Sequence, residues 1–236
     1  MSKNKDIFAE LLICDAMAIN SPKDAYKLLS TPEKQRLAAI KNAQQAHLYL
    51  LSRYLLRQRL GSLLAVPPDS LDFYRTDKGK PELHGEPLRF NLSHSGSLLA
   101  LAISSEPVGV DLESRLLAPA GIQRLARRYL ATQEQTWLAQ STQPASDFQQ
   151  LWTIKEAVLK ADGSGIANNL HRVCWQPGSH SARFNEREYR LQHWPVGTGT
   201  LTLASARSTP VRLPDLADYG PMLEITGVQP NLAINP

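Results

Sequence analysis

LWTIKEAVLKADGSG, residues 151–165, is the stretch whose reading decides this chain. Leu151, Ile154, Val158 and Leu159 recur near one face at helical spacing, while Trp152, Glu156 and Lys160 follow one another at i,i+4 and form a second stripe. Upstream, Ser146 followed three positions later by Gln149 reads as a capping box, and Asp147 adds negative charge to the first turn. Gly163 stands where a helix commonly ends in a left-handed residue, and Gly165 follows it. The pattern predicts a helix that buries one side and presents a carboxylate with an ammonium beside it. Taken alone, such a pair is a common and weak feature of solvated helices.

Working back towards the N-terminus, VGVDLE at residues 108–113 reads as a strand, and period-two alternation sends Asp111 and Glu113 to the same side. Two carboxylates on one face repel, unless solvent separates them or a divalent cation such as Mg²⁺ or Mn²⁺ lies between. Before it, FNLSHSG at residues 90–96 crowds asparagine, serine and histidine ahead of an apolar strand at 98–104, a place where sites tend to be built. RTDKGK at residues 75–80 is a loop of cations and a glycine, able to offer N–H groups and positive charge to an anion. A short strand at 71–74 precedes it.

The outer segments complete the plan. Residues 11–19 are apolar enough for a buried strand, and Thr31-Pro32-Glu33-Lys34 begins a basic amphipathic helix that runs to about Leu60 and is ended by Gly61. Residues 122–130 and 132–140 predict short helices, the first carrying Arg124, Arg127 and Arg128, with a linker at 141–145. Strands are expected at 172–176, 188–194 and 200–206, and the proline-rich residues 210–236 as an extended surface tail. Each half thus has strands and one long helix. The fold expected is α+β, two similar subdomains (1–106 and 107–209, then the tail 210–236) in a pseudo-twofold arrangement with the active site in the cleft between them.

Composition narrows the class. Hydrophobic content of 42% and charged content of 20% fit a globular protein, and the net charge of +4 favours anionic partners only mildly. The opening segment is interrupted by Glu10 and Asp15 and predicts neither a signal peptide nor a membrane span. Cys14 and Cys174 are the only cysteines, far apart and without a paired motif, which suits a reducing cytoplasm.

FNLSHS, VGVDLE and WTIKEAVLK, in this order, closely resemble the 4′-phosphopantetheinyl transferases, in particular the monomeric two-subdomain branch that activates carrier proteins. The resemblance is strong over residues 74–166 and general elsewhere. It implies transfer of the phosphopantetheine arm of coenzyme A onto a serine of an acyl or peptidyl carrier protein, with release of adenosine 3′,5′-bisphosphate. Fatty-acid, polyketide and nonribosomal-peptide carriers all share the helical, acidic character that such an enzyme meets. By the resemblance Asp111, Glu113 and Glu156 match the acidic Mg²⁺ positions, and His94 and Lys160 match contacts to the coenzyme A phosphates. Arg75 and Lys80 match the loop holding the nucleotide end, with Asn91, Ser93 and His94 in a second contact segment. The expected catalytic set is Asp111, Glu156 and Lys160, with Glu156 the simplest acceptor for the serine proton. Trp152 is expected to pack and fix the helix. In one respect the chain departs from the family: residues 42–47 lack the usual basic residue of the first long helix, offering only His47, and Lys34, Arg36 or Lys41 stand as replacements.

Two other classes make different demands on these residues. A hydrolase would pair Ser93 or Ser95 with His94, but neighbouring side chains on a strand point to opposite sides. A non-enzymatic basic nucleic-acid-binding protein would use Arg124, Arg127, Arg128 and the first helix, and would leave the three ordered carboxylates without a role.

Overall fold

The computed structural model describes residues 8–85, 88–212 and 214. The first strand, β1 (Ala9–Asp15), is shorter than the 11–19 expected. Its last side chain accepts the Met17 N–H at 2.9 Å and turns the chain into a 3-10 turn at Ala16–Ala18. The single helix expected over 31–60 is two, α1 (Thr31–Ala38) and α2 (Ala43–Leu64). Asn42 makes the break: its backbone is extended and its side chain accepts the Gln45 N–H at 3.0 Å, an N-cap inside the run. Gly61 does not end α2 but lets the following loop close on it, since a Cβ there would lie 2.9 Å from the Val66 carbonyl oxygen.

A small hairpin, β2 (Phe73–Arg75) with β3 (Pro81–Leu83), carries the cationic loop at its tip. The FNLSHS segment is itself a strand, β4 (Arg89–Ser95), paired antiparallel with β5 (Leu98–Ser104), and β6 (Val108–Glu113) follows as expected. Two short helices, α3 (Pro119–Tyr129) and α4 (Thr132–Ala139), lead to α5 (Pro144–Asp162). Here the start differs from expectation. Pro144 at the first helical turn begins α5, Gln143 precedes it without a side-chain cap, and Ser146 lies inside the helix. The end is as predicted, at Gly163 with φ 85°. The chain finishes with β7 (Cys174–Trp175), β8 (Ser181–Phe184), β9 (Arg187–Val196), β10 (Gly199–Ser205) and β11 (Val211–Arg212), which pairs parallel with β1. Most of the expected tail lies outside the described residues.

Among the described residues, two larger sheets stand beside the β2-β3 hairpin, ordered β11-β1-β5-β4 and β6-β10-β9-β8-β7, each covered by one long helix. Leu51, Leu55, Leu56 and Leu60 of α2 pack on Leu12, Leu99, Leu101 and Ile103 of the first sheet. Leu151, Ile154, Val158 and Leu159 of α5 pack on the second, and all four are fully buried, each such side chain stabilising by about 1.5–3 kcal/mol. A third core joins the halves, with Leu11, Ile13, Ala100 and Ala102 on one side and Val110, Leu112, Leu201 and Leu203 on the other. Alternation along β6 sends the valines and Leu112 into this middle core, leaving Gly109, Asp111 and Glu113 on the other face. At Gly109 the helix comes so close that a Cβ would lie 2.0 Å from the Ala157 carbonyl oxygen, which seats α5 directly on β6. Among the described residues no helix is long and apolar enough to cross a membrane.

Candidate active site

The halves meet along β4 and β6, the free edges of the two sheets. Asn91, Ser93 and Ser95 alternate along β4, and each receives one backbone N–H of the facing segment. Asn91 Oδ1 accepts from Val110 at 2.9 Å, Ser93 Oγ from Leu112 at 3.3 Å and Ser95 Oγ from Ser114 at 3.0 Å. The same serines donate to the carboxylates, Ser93 to Asp111 Oδ1 at 2.9 Å and Ser95 to Glu113 Oε1 at 3.1 Å. Asp111 and Glu113 therefore lie on one side of β6, as the period-two pattern requires.

From above, α5 brings Lys160. Its ammonium lies 2.5 Å from Asp111 Oδ1, 3.1 Å from Ser93 Oγ and 3.5 Å from Glu156 Oε2, so one cation links the strand carboxylate to the helix carboxylate. The pair is far from a solvated one: the Asp111 side chain is 4% exposed and that of Lys160 17%. Burial, and then the charge of Asp111, push the Glu156 carboxyl up to about 7 against the pull of Lys160 and Trp152. Trp152 packs as expected, stacked on Phe148 and edge-on to Tyr129.

The second carboxylate oxygen of Asp111, Oδ2, is buried and has no hydrogen-bond partner. An anionic oxygen in that state is costly unless something else satisfies it. Oxygen donors from Asp111, Glu113 and Glu156 suit a hard divalent cation. Among the described residues, however, no three His, Cys, Asp or Glu side chains are already gathered round one point, and the Lys160 ammonium supplies the counter-charge.

The cationic hairpin reaches the same end of α5. Lys80 Nζ donates to the Lys160 carbonyl at 2.7 Å, where the exposed carbonyls at a helix C-terminus favour a cation. Arg75 is exposed and donates to the Gly79 carbonyl at 2.7 Å, holding the loop closed. His94 is exposed at the end of β4, on the α2 face of its sheet.

His47 is occupied by the fold, its Nε2 lying 2.8 Å and 3.0 Å from the Ala16 and Ile19 carbonyls and its Nδ1 3.2 Å from Ser21 Oγ. Lys34 lies over the Tyr26 ring. Arg36 and Arg53, by contrast, both stack on Tyr49, with ring distances of 6.0 Å and 5.5 Å. Burial lowers the Arg53 pKa; the charges of Tyr49 and Glu33 oppose this, and those of Arg75 and Arg36 add to it. Arg53 was not singled out from sequence, where it is one basic residue among several on a long helix.

Two other buried polar groups were likewise missed. Lys155, next to Glu156 but turned into the core, is fully buried, paired with Glu134 at 2.7 Å and donating to the Leu170 and Val173 carbonyls. His193 Nδ1 contacts Thr202 Oγ1 at 2.9 Å, and Thr202 contacts Thr153 of α5 at 2.8 Å. A cavity of about 380 Å³ lined by Ile122, Ala126, Leu138 and Pro144 lies between α3, α4 and the start of α5 and includes none of the site residues.

Known families match both halves of this arrangement. Residues 20–106 match the N-terminal 4′-phosphopantetheinyl transferase model, and residues 107–208 the 4′-phosphopantetheinyl transferase superfamily model. The protein slr0495 of Synechocystis sp., provisionally named a 4′-phosphopantetheinyl transferase, is 38% identical over 180 residues, 74% of this chain and 73% of that protein. The transferase gsp of Aneurinibacillus migulanus is 34% identical over 141 residues, covering 58% of this chain and 57% of its own. HetI of Nostoc sp., also named a 4′-phosphopantetheinyl transferase, is 34% identical over 152 residues, 61% and 64% of the two chains. With both halves of the site carried by matched segments, this chain belongs to the 4′-phosphopantetheinyl transferase superfamily.

Proposed function

We propose that the protein transfers the phosphopantetheine arm of coenzyme A to a serine of an apo acyl or peptidyl carrier protein and releases adenosine 3′,5′-bisphosphate, with Mg²⁺ as cofactor. It acts as a monomer in the cytoplasm. The observation that carries this reading is the trio in which the half-buried Lys160 links the buried Asp111 to Glu156 on the line where the two halves meet. The nucleic-acid-binding alternative gains no support from the relatives.

The residues have a division of labour that follows from their chemistry. Arg36, Arg53 and Arg75 bring like charge to the region of Tyr49 that the Glu33 carboxylate offsets only in part, which favours adding the phosphates of the nucleotide end there. Lys80 and His94 are proposed to contact the remaining phosphates. Lys160 is placed to stabilise charge building on the oxygens of the phosphorus under attack. Glu156 is the simplest acceptor for the proton of the incoming serine hydroxyl, directly or through water. The serine oxygen forms the new bond to phosphorus as the bond to the bisphosphate oxygen breaks, so the leaving group departs as a phosphate anion.

Asp111, Glu113 and Glu156 are the residues that would hold Mg²⁺, and the unpartnered Asp111 Oδ2 supports that role. When bound, the ion would supply Lewis-acid stabilisation of phosphoryl charge.

The test is direct. Purified protein, coenzyme A and Mg²⁺ are incubated with a panel of apo-carriers and the products weighed. A carrier gaining the mass of one phosphopantetheine, with adenosine 3′,5′-bisphosphate released, is the expected result. Absence of any mass gain across fatty-acid, polyketide and peptide carriers would overturn it.

A further inference from the structure

Ser93 uses every hydrogen-bonding site that a hydroxyl has. It accepts from the Leu112 N–H at 3.3 Å and from the Lys160 ammonium at 3.1 Å, and its one proton goes to Asp111 Oδ1 at 2.9 Å. The serine is 7% exposed, and no lone pair or proton is left for a ligand. Ser95 repeats the arrangement one step along: it accepts from the Ser114 N–H, donates to Glu113, and takes the Ser114 hydroxyl at 3.1 Å. Asn91 completes the series by accepting the Val110 N–H at 2.9 Å.

An unpaired strand edge normally leaves alternate N–H groups to solvent or to another strand's carbonyls. Here the N–H groups of Val110, Leu112 and Ser114 all go to side chains of β4 instead. The spacing matches because both strands send every second residue to the same side. A side-chain ladder therefore sets the register of one half against the other, and the same side chains hold the carboxylates that β6 carries.

We propose that Asn91, Ser93 and Ser95 are positioning residues, which lock β4 to β6 and aim Asp111, Lys160 and Glu113, the Ser93 hydroxyl being held for this rather than for coenzyme A. This deepens the transferase reading and rests on it for its kinetic consequence, though not for the ladder itself.

The experiment therefore has two arms on the full chain. In the first, amide hydrogen exchange is followed residue by residue by NMR. Ser93→Ala should speed exchange at Leu112 about tenfold or more, because its acceptor is gone. Asn91→Ala should do the same at Val110, whereas Asn91→Asp, which keeps an acceptor oxygen, should restore protection. In the second arm, Ser93→Ala should lower kcat about tenfold or more while leaving KM for coenzyme A within about threefold, the signature of a group acting through its neighbours.

Unchanged Leu112 and Val110 exchange in the alanine variants would overturn the ladder. A KM for coenzyme A raised tenfold at unchanged kcat would return Ser93 to direct ligand contact and overturn the positioning role. Should Ser93→Ala fail to fold, the Asn91 pair decides. A wild-type protein without transfer activity would sink the transferase reading alone, since the exchange arm still judges the ladder.

Discussion

Lys160 concentrates the chemistry of the site in one ammonium, touching Asp111 and Ser93 and lying beside Glu156. Removing it would leave a buried aspartate without its cation and, on the proposed mechanism, take a positive charge from the transferring phosphoryl group. Lys160→Ala is expected to cut turnover with apo-carrier and coenzyme A by about 10²–10³-fold, the range seen when one group stabilising transition-state charge is lost. Near-normal turnover would reduce the pair to a helix-surface contact. A second residue, His193, tests the electrostatics of the interior independently of catalysis. Burial first, and then the charge of nearby His180, lower its pKa to about 4 from an ordinary 6.5, so the native state holds it neutral where the unfolded chain would take up a proton. Its stabilising contribution is present above the unfolded value and is lost as pH falls from about 6.5 towards 4. In denaturant titrations across that window, His193→Gln should lose stability less steeply with acidification than the parent protein. Parallel pH profiles would show that the histidine does not carry this part of the acid sensitivity.

At the level of elements, α5 and β6 were readable because both signals are local. A 3.6-residue stripe and a period-two run need no knowledge of what they pack against. The start of α5 was misread because Ser146 and Gln149 have a capping spacing, while Pro144 had already begun the helix. β4 was legible only as a polar cluster at a strand edge, because its alternate residues face the edge of another strand and no local pattern distinguishes that environment from water. Lys155 was invisible as a core residue for the same reason, its partners Glu134, Leu170 and Val173 being supplied by other elements. That arrangement makes a prediction. Lys155→Met should cost about 3–5 kcal/mol in chemical denaturation by leaving Glu134 buried and unpaired, and adding Glu134→Gln should recover part of the loss. If the double variant were as unstable as the sum of the two single ones, the pair would not be coupled. Gly109 was equally unmarked in the sequence. With a Cβ directed at the backbone of Ala157 and Ala161, Gly109→Ala should destabilise by about 3 kcal/mol or more, since backbone cannot yield as a side chain can.

On the scale of the whole molecule, the two halves share a middle core, a side-chain ladder and one latch, the Lys80 ammonium on the Lys160 carbonyl. The two-subdomain plan was legible because each half repeats strands and a long helix, but the line of contact was not, since it depends on which sheet edges are left free. Coenzyme A bound near this line would touch residues of both halves and should stabilise the native state as a unit. A ligand at about a hundred times its Kd adds about 2.7 kcal/mol to stability. For a protein of this size that corresponds to a rise in Tm of about 5–10 °C. With Mg²⁺ present, coenzyme A is expected to raise Tm by that amount, and a chelator should reduce the shift. Arg75→Ala combined with Lys80→Ala should abolish most of it, because the double variant removes one guanidinium from the group around Tyr49 and the cation that ends α5. The variant's own Tm without ligand is the control for the lost latch, so only the ligand-dependent difference bears on binding. An equal shift in the double variant would place the nucleotide away from the hairpin, and the loop would then serve only to join the halves.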